Sequence, residues 1–186
     1  TITTTEAGTG SASEAVTSQA GGALLLTNAA GDNDLDFLQL KGEGFKLSTS
    51  KKAYFSARFK VSDVDQSDFV MGLGITDTTP LDTTDGVFFI SADGDAGLDF
   101  LVEKDNSATT TEDVATMADD TFITVTWFID PDASKVFYSV NNAAPVGVVN
   151  TNLPDDEELT VSFGIQNGEA AAKTMTIDYV VAAVER

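Results

Sequence analysis

The chain is 186 residues long and about 42% apolar, with twelve Phe, a composition that supports one globular core. It contains no His and no Cys, and thirty acidic against ten basic residues give it a formal charge of −20. Imidazole and thiolate chemistry are thereby excluded, which leaves catalysis only to carboxylates, lysine, tyrosine or an activated hydroxyl. The expectation from composition is a binding or structural protein and not an enzyme. So acidic a surface repels phosphate backbones and anionic lipid, so no nucleic-acid partner and no membrane partner is expected.

Residues 1–22, TITTTEAGTGSASEAVTSQAGG, are rich in Thr, Ser, Ala and Gly and poor in large apolar groups. The segment lacks the basic and apolar regions of a signal peptide. Its composition is that of an extended arm, here expected to dock on a neighbouring subunit, with Thr1, Ile2, Thr3, Thr4 and Thr5 as the candidate partner-binding residues.

From Ala23 onward the pattern is strand, turn, strand, and residues 23–186 are expected to form one domain. Ala53–Val61 (AYFSARFKV) alternates, with Ala53, Phe55, Ala57, Phe59 and Val61 inward and Tyr54, Ser56, Arg58 and Lys60 outward. In Phe69–Ile75, Phe69, Met71, Leu73 and Ile75 share a face and two glycines take the other. GVFFIS (86–91) and LDFLVE (98–103) follow, joined by the turn-rich ADGDAG. Glu112–Asp120 has room for one helical turn at most.

Thr121–Asp130 (TFITVTWFID) directs Ile123, Val125, Trp127 and Ile129 to one side. A DPDASK turn leads into KVFYSV (135–140), then VGVVN. LTVSFGI (159–165) aligns Leu159, Val161, Phe163 and Ile165, and in the closing TMTIDYVVAAVE the residues Met175, Ile177, Tyr179 and Val181 are assigned one face. About a dozen short strands separated by Gly, Asp, Asn and Pro turns predict an all-β, two-sheet antiparallel sandwich.

Candidate chemistry is sparse. Asp155-Asp156-Glu157-Glu158 follows a Pro and reads as a solvated loop. Asp32, Asp34 and Asp36 alternate, and Glu43 falls where an EF-hand has its last ligand, but Phe37 occupies the position that needs Gly. Asp93, Asp95 and Asp99 in a hairpin are a better calcium candidate, although Asp-Gly is also ordinary turn chemistry. Trp127 is expected in the core, while Tyr54 and Tyr138 are the aromatic residues placed to reach solvent, and neither forms a cluster with another exposed aromatic that would make a sugar platform. No cofactor is implied.

The order of AYFSARFKV, TFITVTWFIDPDASKVFYSVNNAAPVG and TMTIDYVVAAV resembles the concanavalin A-like (laminin G/lectin/glucanase) jelly roll. Glucanases of that superfamily carry E-x-D-x-x-E. Here the one Glu-x-Asp is Glu103-Lys104-Asp105, with Ala108 at the second Glu position, so the resemblance does not imply hydrolase activity. The polar start, FSARFKVSDVDQSDFVMGLGITDT and DGVFFISADGD are also similar to jelly-roll proteins of tailed-phage virions. That resemblance implies a decoration or cement protein on the outer capsid surface, a dimer or trimer on a symmetry axis, with the major capsid protein as partner. The alternative is a carbohydrate-binding, lectin-like module, either receptor-binding or secreted.

Overall fold

The computed structural model describes residues 1–19 and 21–186. Among the described residues fourteen strands form two antiparallel seven-stranded sheets. They are β1 (Ile2–Ala7), β2 (Ser13–Val16), β3 (Leu24–Thr27), β4 (Leu35–Leu40), β5 (Ala53–Val61), β6 (Ser67–Gly74) and β7 (Gly86–Ser91). The second half adds β8 (Gly97–Lys104), β9 (Ser107–Thr116), β10 (Ile123–Asp130), β11 (Lys135–Val140), β12 (Val146–Val149), β13 (Thr160–Asn167) and β14 (Thr174–Val184). Sheet A runs β1-β4-β13-β6-β7-β8-β9, and sheet B runs β12-β11-β10-β5-β14-β3-β2. The two-sheet sandwich anticipated from strand periodicity is the architecture found.

Alternation decides which side chains meet between the sheets. Phe55, Phe59, Val125 and Trp127 from sheet B face Phe69, Met71, Phe89 and Phe100 from sheet A, all without solvent exposure. Trp127 stacks on Phe55 in the adjacent strand at 5.8 Å between ring centroids, and Phe59 meets Phe69 edge-on at 5.4 Å. Tyr138 belongs to this interior, tilted against Phe100 at 5.1 Å, and is 8% exposed. The expectation that it reaches solvent is therefore corrected, because Val136 and Tyr138 share the inward phase of β11.

The single face assigned to β14 is also corrected. A bulge between Ile177 and Tyr179 inserts one residue against β5 and reverses the side-chain phase. Met175 and Ile177 stay inside, whereas Tyr179 and Val181 turn outward at 39% and 49% exposure, and Val180, Ala182 and Val184 take their places against the core. The segment Glu112–Thr116 is strand, part of β9, which pairs with β8 across a two-residue loop. Asp105 and Asn106 both have positive φ there (51° and 58°), as the tightest hairpin turns require, and Asp and Asn tolerate that region.

Residues 1–22 are seated on the same chain, with Ala20 outside the described residues. β1 pairs with the edge of β4 in sheet A, and β2 pairs with β3 in sheet B, so the segment crosses from one layer to the other. Asp34 pins the crossing: its Oδ1 accepts the Thr9 N–H at 2.6 Å and its Oδ2 the Gly31 N–H at 2.9 Å. Gly8, at φ 120°, is needed where the chain passes over that carboxylate. Ile2, Thr3, Thr4 and Thr5 lie in β1, the first three exposed and Thr5 half-buried.

Trp127 is the largest fully buried side chain, and its removal leaves a cavity between two well-packed sheets. Trp127→Ala is expected to lower stability by about 3–5 kcal/mol, read as a lower midpoint of urea unfolding.

Candidate functional site

Two outer faces carry the candidate chemistry. On sheet A the outward residues form a second, smaller apolar cluster of Phe37, Val70 and Phe88, with Leu35, Leu81, Ile90 and Leu101 around it. Phe37 and Phe88 lie close to the sheet because their cross-strand partners are Gly164 and Gly72. A Cβ at Gly164 would stand 2.5 Å from Phe37 Cδ1, and one at Gly72 would stand 2.5 Å from Phe88 Cβ. The β6–β7 connection, with a short 3-10 turn at Pro80–Asp82, folds back over this cluster and buries Pro80. Gln39 anchors it, donating to Ile75 O at 3.0 Å and accepting the Asp77 N–H at 3.1 Å. An apolar cleft remains beside the cap, lined by Leu35, Phe37, Pro80, Leu81 and Gln166.

The rim of this face holds carboxylates. Burial raises the pKa of Glu103, and repulsion from Asp85 and Asp82 adds to it. Asp85 Oδ1 accepts the Asp105 N–H at 3.0 Å and its Oδ2 the Thr84 hydroxyl at 2.7 Å, which fixes it beside the β8–β9 turn. Glu103 and Ala108, the two positions tested against the glucanase pattern, face each other across the β8–β9 ladder.

The outer face of sheet B is open. Phe137, Phe128, Tyr54 and Ala183 stand in one cross-strand row over β11, β10, β5 and β14. Phe128 and Phe137 stack at 5.1 Å, and Tyr54 is 42% exposed. Lys52, Tyr54, Phe128, Ala183 and Glu185 line a shallow depression at this end. The next row is hydroxylic, with Ser56 Oγ 3.0 Å from Thr126 Oγ1. Beyond it Arg58 lies over the Phe122 ring at 4.0 Å and bridges to Asp178 at 2.7 Å. Of the eight exposed large apolar residues six sit on strands of sheet B, and four of these (Tyr54, Val149, Tyr179 and Val181) are in the outward phase, while Val16 and Val146 pair with inward-phase Leu24 and Tyr138 at the two edges.

The sequence singled out Tyr54 but not its companions. Phe128 is the outward phase of β10, whose inward residues Ile123, Val125, Trp127 and Ile129 are the ones expected, whereas the phase of β11 is legible only once Tyr138 is seen to point inward; the register places Phe128 and Phe137 in one row.

Three of the aspartates weighed as calcium ligands, Asp34, Asp95 and Asp99, have a carboxylate oxygen on a backbone N–H. Asp95 Oδ1 accepts the Gly97 N–H, Asp99 Oδ1 the Asp113 N–H, and the Asp93 N–H donates to Asp68. Asp34 holds the N-terminal crossing, Glu43 accepts the Thr76 N–H at 2.6 Å, and Asp36 points into the interior. Among the described residues, no three acidic, His or Cys side chains are grouped so as to hold a metal ion.

No protein-family model matches this chain, and no curated protein matches its sequence. Solved structures do. The carbohydrate recognition domain of Emp46p, in its potassium-bound form, is similar at TM-score 0.62 and 13% identity, covering 92% of this chain and 87% of its own. The family 7 alginate lyase A1-II', in complex with its substrate GGMG, gives TM-score 0.62 and 12% identity over 95% of this chain and 84% of that one. A carbohydrate esterase from the Shiga toxin-encoding bacteriophage phi24B gives TM-score 0.59 and 14% identity, covering 100% of this chain and 90% of its own.

These likenesses correct the expectation that the chain is not an enzyme. Lyases and an esterase stand among the proteins that share the sandwich, and the lack of His and Cys removes only imidazole and thiolate. Carboxylate chemistry stays available on sheet A at Glu103, Asp85 and Asp82. Leu81→Asp is expected to lift the cap from the Phe37–Val70–Phe88 cluster, with a rise in fluorescence of an apolar dye and a loss of about 1–3 kcal/mol in stability. The chain is a jelly-roll β-sandwich of the fold found in lectin domains and carbohydrate-active proteins.

Proposed function

We propose that this chain is a structural protein of a phage virion that decorates the outer capsid surface, seating sheet B on the shell and on neighbouring copies of itself. The observation that carries this is the concentration of exposed apolar residues on sheet B. Scattered exposed apolar residues are ordinary, but apolar groups gathered on one sheet favour a protein contact. The edge strand β12, VGVV, has no charge and no Pro to blunt it, and β2 at the opposite edge ends on Val16 at 81% exposure. A charge of −20 suits a surface turned away from packaged DNA. The likeness in fold to a phage-encoded protein over the full chain is compatible with a phage source. Contacts weak one by one accumulate when repeated over a lattice.

The test is co-sedimentation with emptied capsid shells assembled from the phage's major capsid protein. Binding is expected, with at least a tenfold loss for the double variant Tyr179→Asp, Val181→Asp, and decorated shells should resist heat better than bare ones. Absence of sedimentation, or equal heat resistance, overturns the proposal.

The row Phe137–Phe128–Tyr54 favours a second function, glycan binding. Aromatic side chains offer apolar faces to sugar rings, and the charged ends of Lys52 and Glu185 with the hydroxyl row beside them supply directional partners. Emp46p, whose similar domain is a carbohydrate recognition domain, supports this choice. The acidic surface favours neutral over anionic sugars. A glycan array and calorimetric titration should show neutral oligosaccharides binding to the native chain and not to Tyr54→Ala; an array without hits rejects this function.

A further inference from the structure

The N-terminal crossing covers an unusual residue. Asp36 lies in β4, directed between the sheets, with no solvent exposure and with neither carboxylate oxygen hydrogen-bonded. The groups that face it are acidic. Glu6 of β1 is its cross-strand partner, and Glu14 of β2 approaches from the other layer; both repel a charge on Asp36. On the β13 side its partner is Ile165, which is apolar and buried. Asp34, two residues away, is engaged with the Thr9 and Gly31 N–H groups. Among the described residues no Lys or Arg forms an ion pair with Asp36. A second orphaned acceptor, Asn28 Oδ1, is buried on a side chain whose Nδ2 donates to Ile165 O at 3.1 Å. Only a proton makes one of these carboxylate oxygens a donor.

The strands that close over Asp36 are held weakly. β1 and β2 bury no side chain, so their seating depends on backbone ladders and on the Asp34 clamp. We propose that residues 2–16 form a strap over this end of the sandwich whose seating is gated by the proton on Asp36: closed when Asp36 is neutral, released when it ionises. The proposal rests on the seating of β1 on β4 and of β2 on β3.

The sign follows from linkage. Burial, then the charges of Glu14 and Glu6, raise the pKa of Asp36 from 3.8 to about 7 in the closed form, whereas release returns the carboxyl to water. The closed form therefore binds the extra proton. The strap is fully held below about pH 4 and loosens by up to about tenfold per pH unit until the closed-form value is passed near 7.

Hydrogen exchange on the full chain, corrected for intrinsic rates, tests this. Between pH 5 and pH 8 the amides of β1 and β2 should lose about 100-fold in protection while those of β5 keep theirs. Asp36→Asn should abolish that difference. If that variant folds poorly, the double variant Glu6→Gln, Glu14→Gln, which leaves Asp36 in place, should regain part of the protection lost at pH 8. Equal protection of the strap at both pH values overturns the proposal, as does an unchanged pH dependence in Asp36→Asn. Protection at pH 8 that returns with calcium and disappears with EDTA also overturns it, since the carboxylates would then close around a cation rather than a proton.

Discussion

The register of β10 against β5 is the constraint on which the rest depends. Trp127 stands opposite Phe55 and Val125 opposite Ala57, so the two central strands of sheet B turn the same phase inward. Period two then forces Phe128 and Tyr54, also cross-strand partners, onto the outside. A slip of one residue would put Trp127 in water and Phe128 in the core, exchanging about 1.5–3 kcal/mol per large side chain in the wrong direction. The stack of Trp127 on Phe55 thus fixes the interior and the outward aromatic row together, in which Tyr54 is exposed and Phe128 and Phe137 are half-buried. β11 extends the row with Phe137, while the bulge in β14 turns Tyr179 and Val181 to the same side.

Sheet A solves a different problem. Its outer face carries Phe37, Val70 and Phe88, which would leave apolar rings in water, and the β6–β7 connection is folded back to cover them. Gln39 is buried to hold that connection, satisfying its amide with Ile75, Ser162 and Asp77. The cap leaves polar chemistry at the margins, where Glu103 is crowded by Asp82 and Asp85. Sheet A is consequently a filled face with acidic edges, and sheet B an open face with aromatic and apolar groups.

The acidic composition acts locally as well as globally. At the N-terminal crossing it places Glu6, Glu14 and Asp36 together without a cation, in a region where two polar strands add no apolar burial. Elsewhere the same surplus is neutralised: Lys173 is 4% exposed and spans Asp63 and Glu169 at 2.7 and 2.6 Å, closing the loop before β14. A buried charge with two partners holds its loop, whereas a buried carboxyl with none strains its cover.

Strand alternation in the sequence determined the fold class, most of the core and the burial of Trp127, because side-chain direction along an extended strand is local. It also carried the outward phase that contains Tyr54, Phe128 and Phe137. The exceptions have local causes acting through distant partners. Tyr138 was assigned to solvent although its phase points inward, and Tyr179 was assigned inward because a bulge is defined only against β5. Residues 1–22 had the composition of an arm, and nothing in that composition contains the edges of β4 and β3 that receive them. Asp36 looked like a calcium candidate beside Asp34; its isolation exists only where two sheet layers close. The sequence by itself determined what each strand turns inward and outward. The tertiary structure alone decided which outward residues share a face and which carboxylate is left without water, because both depend on pairing between segments far apart in the chain.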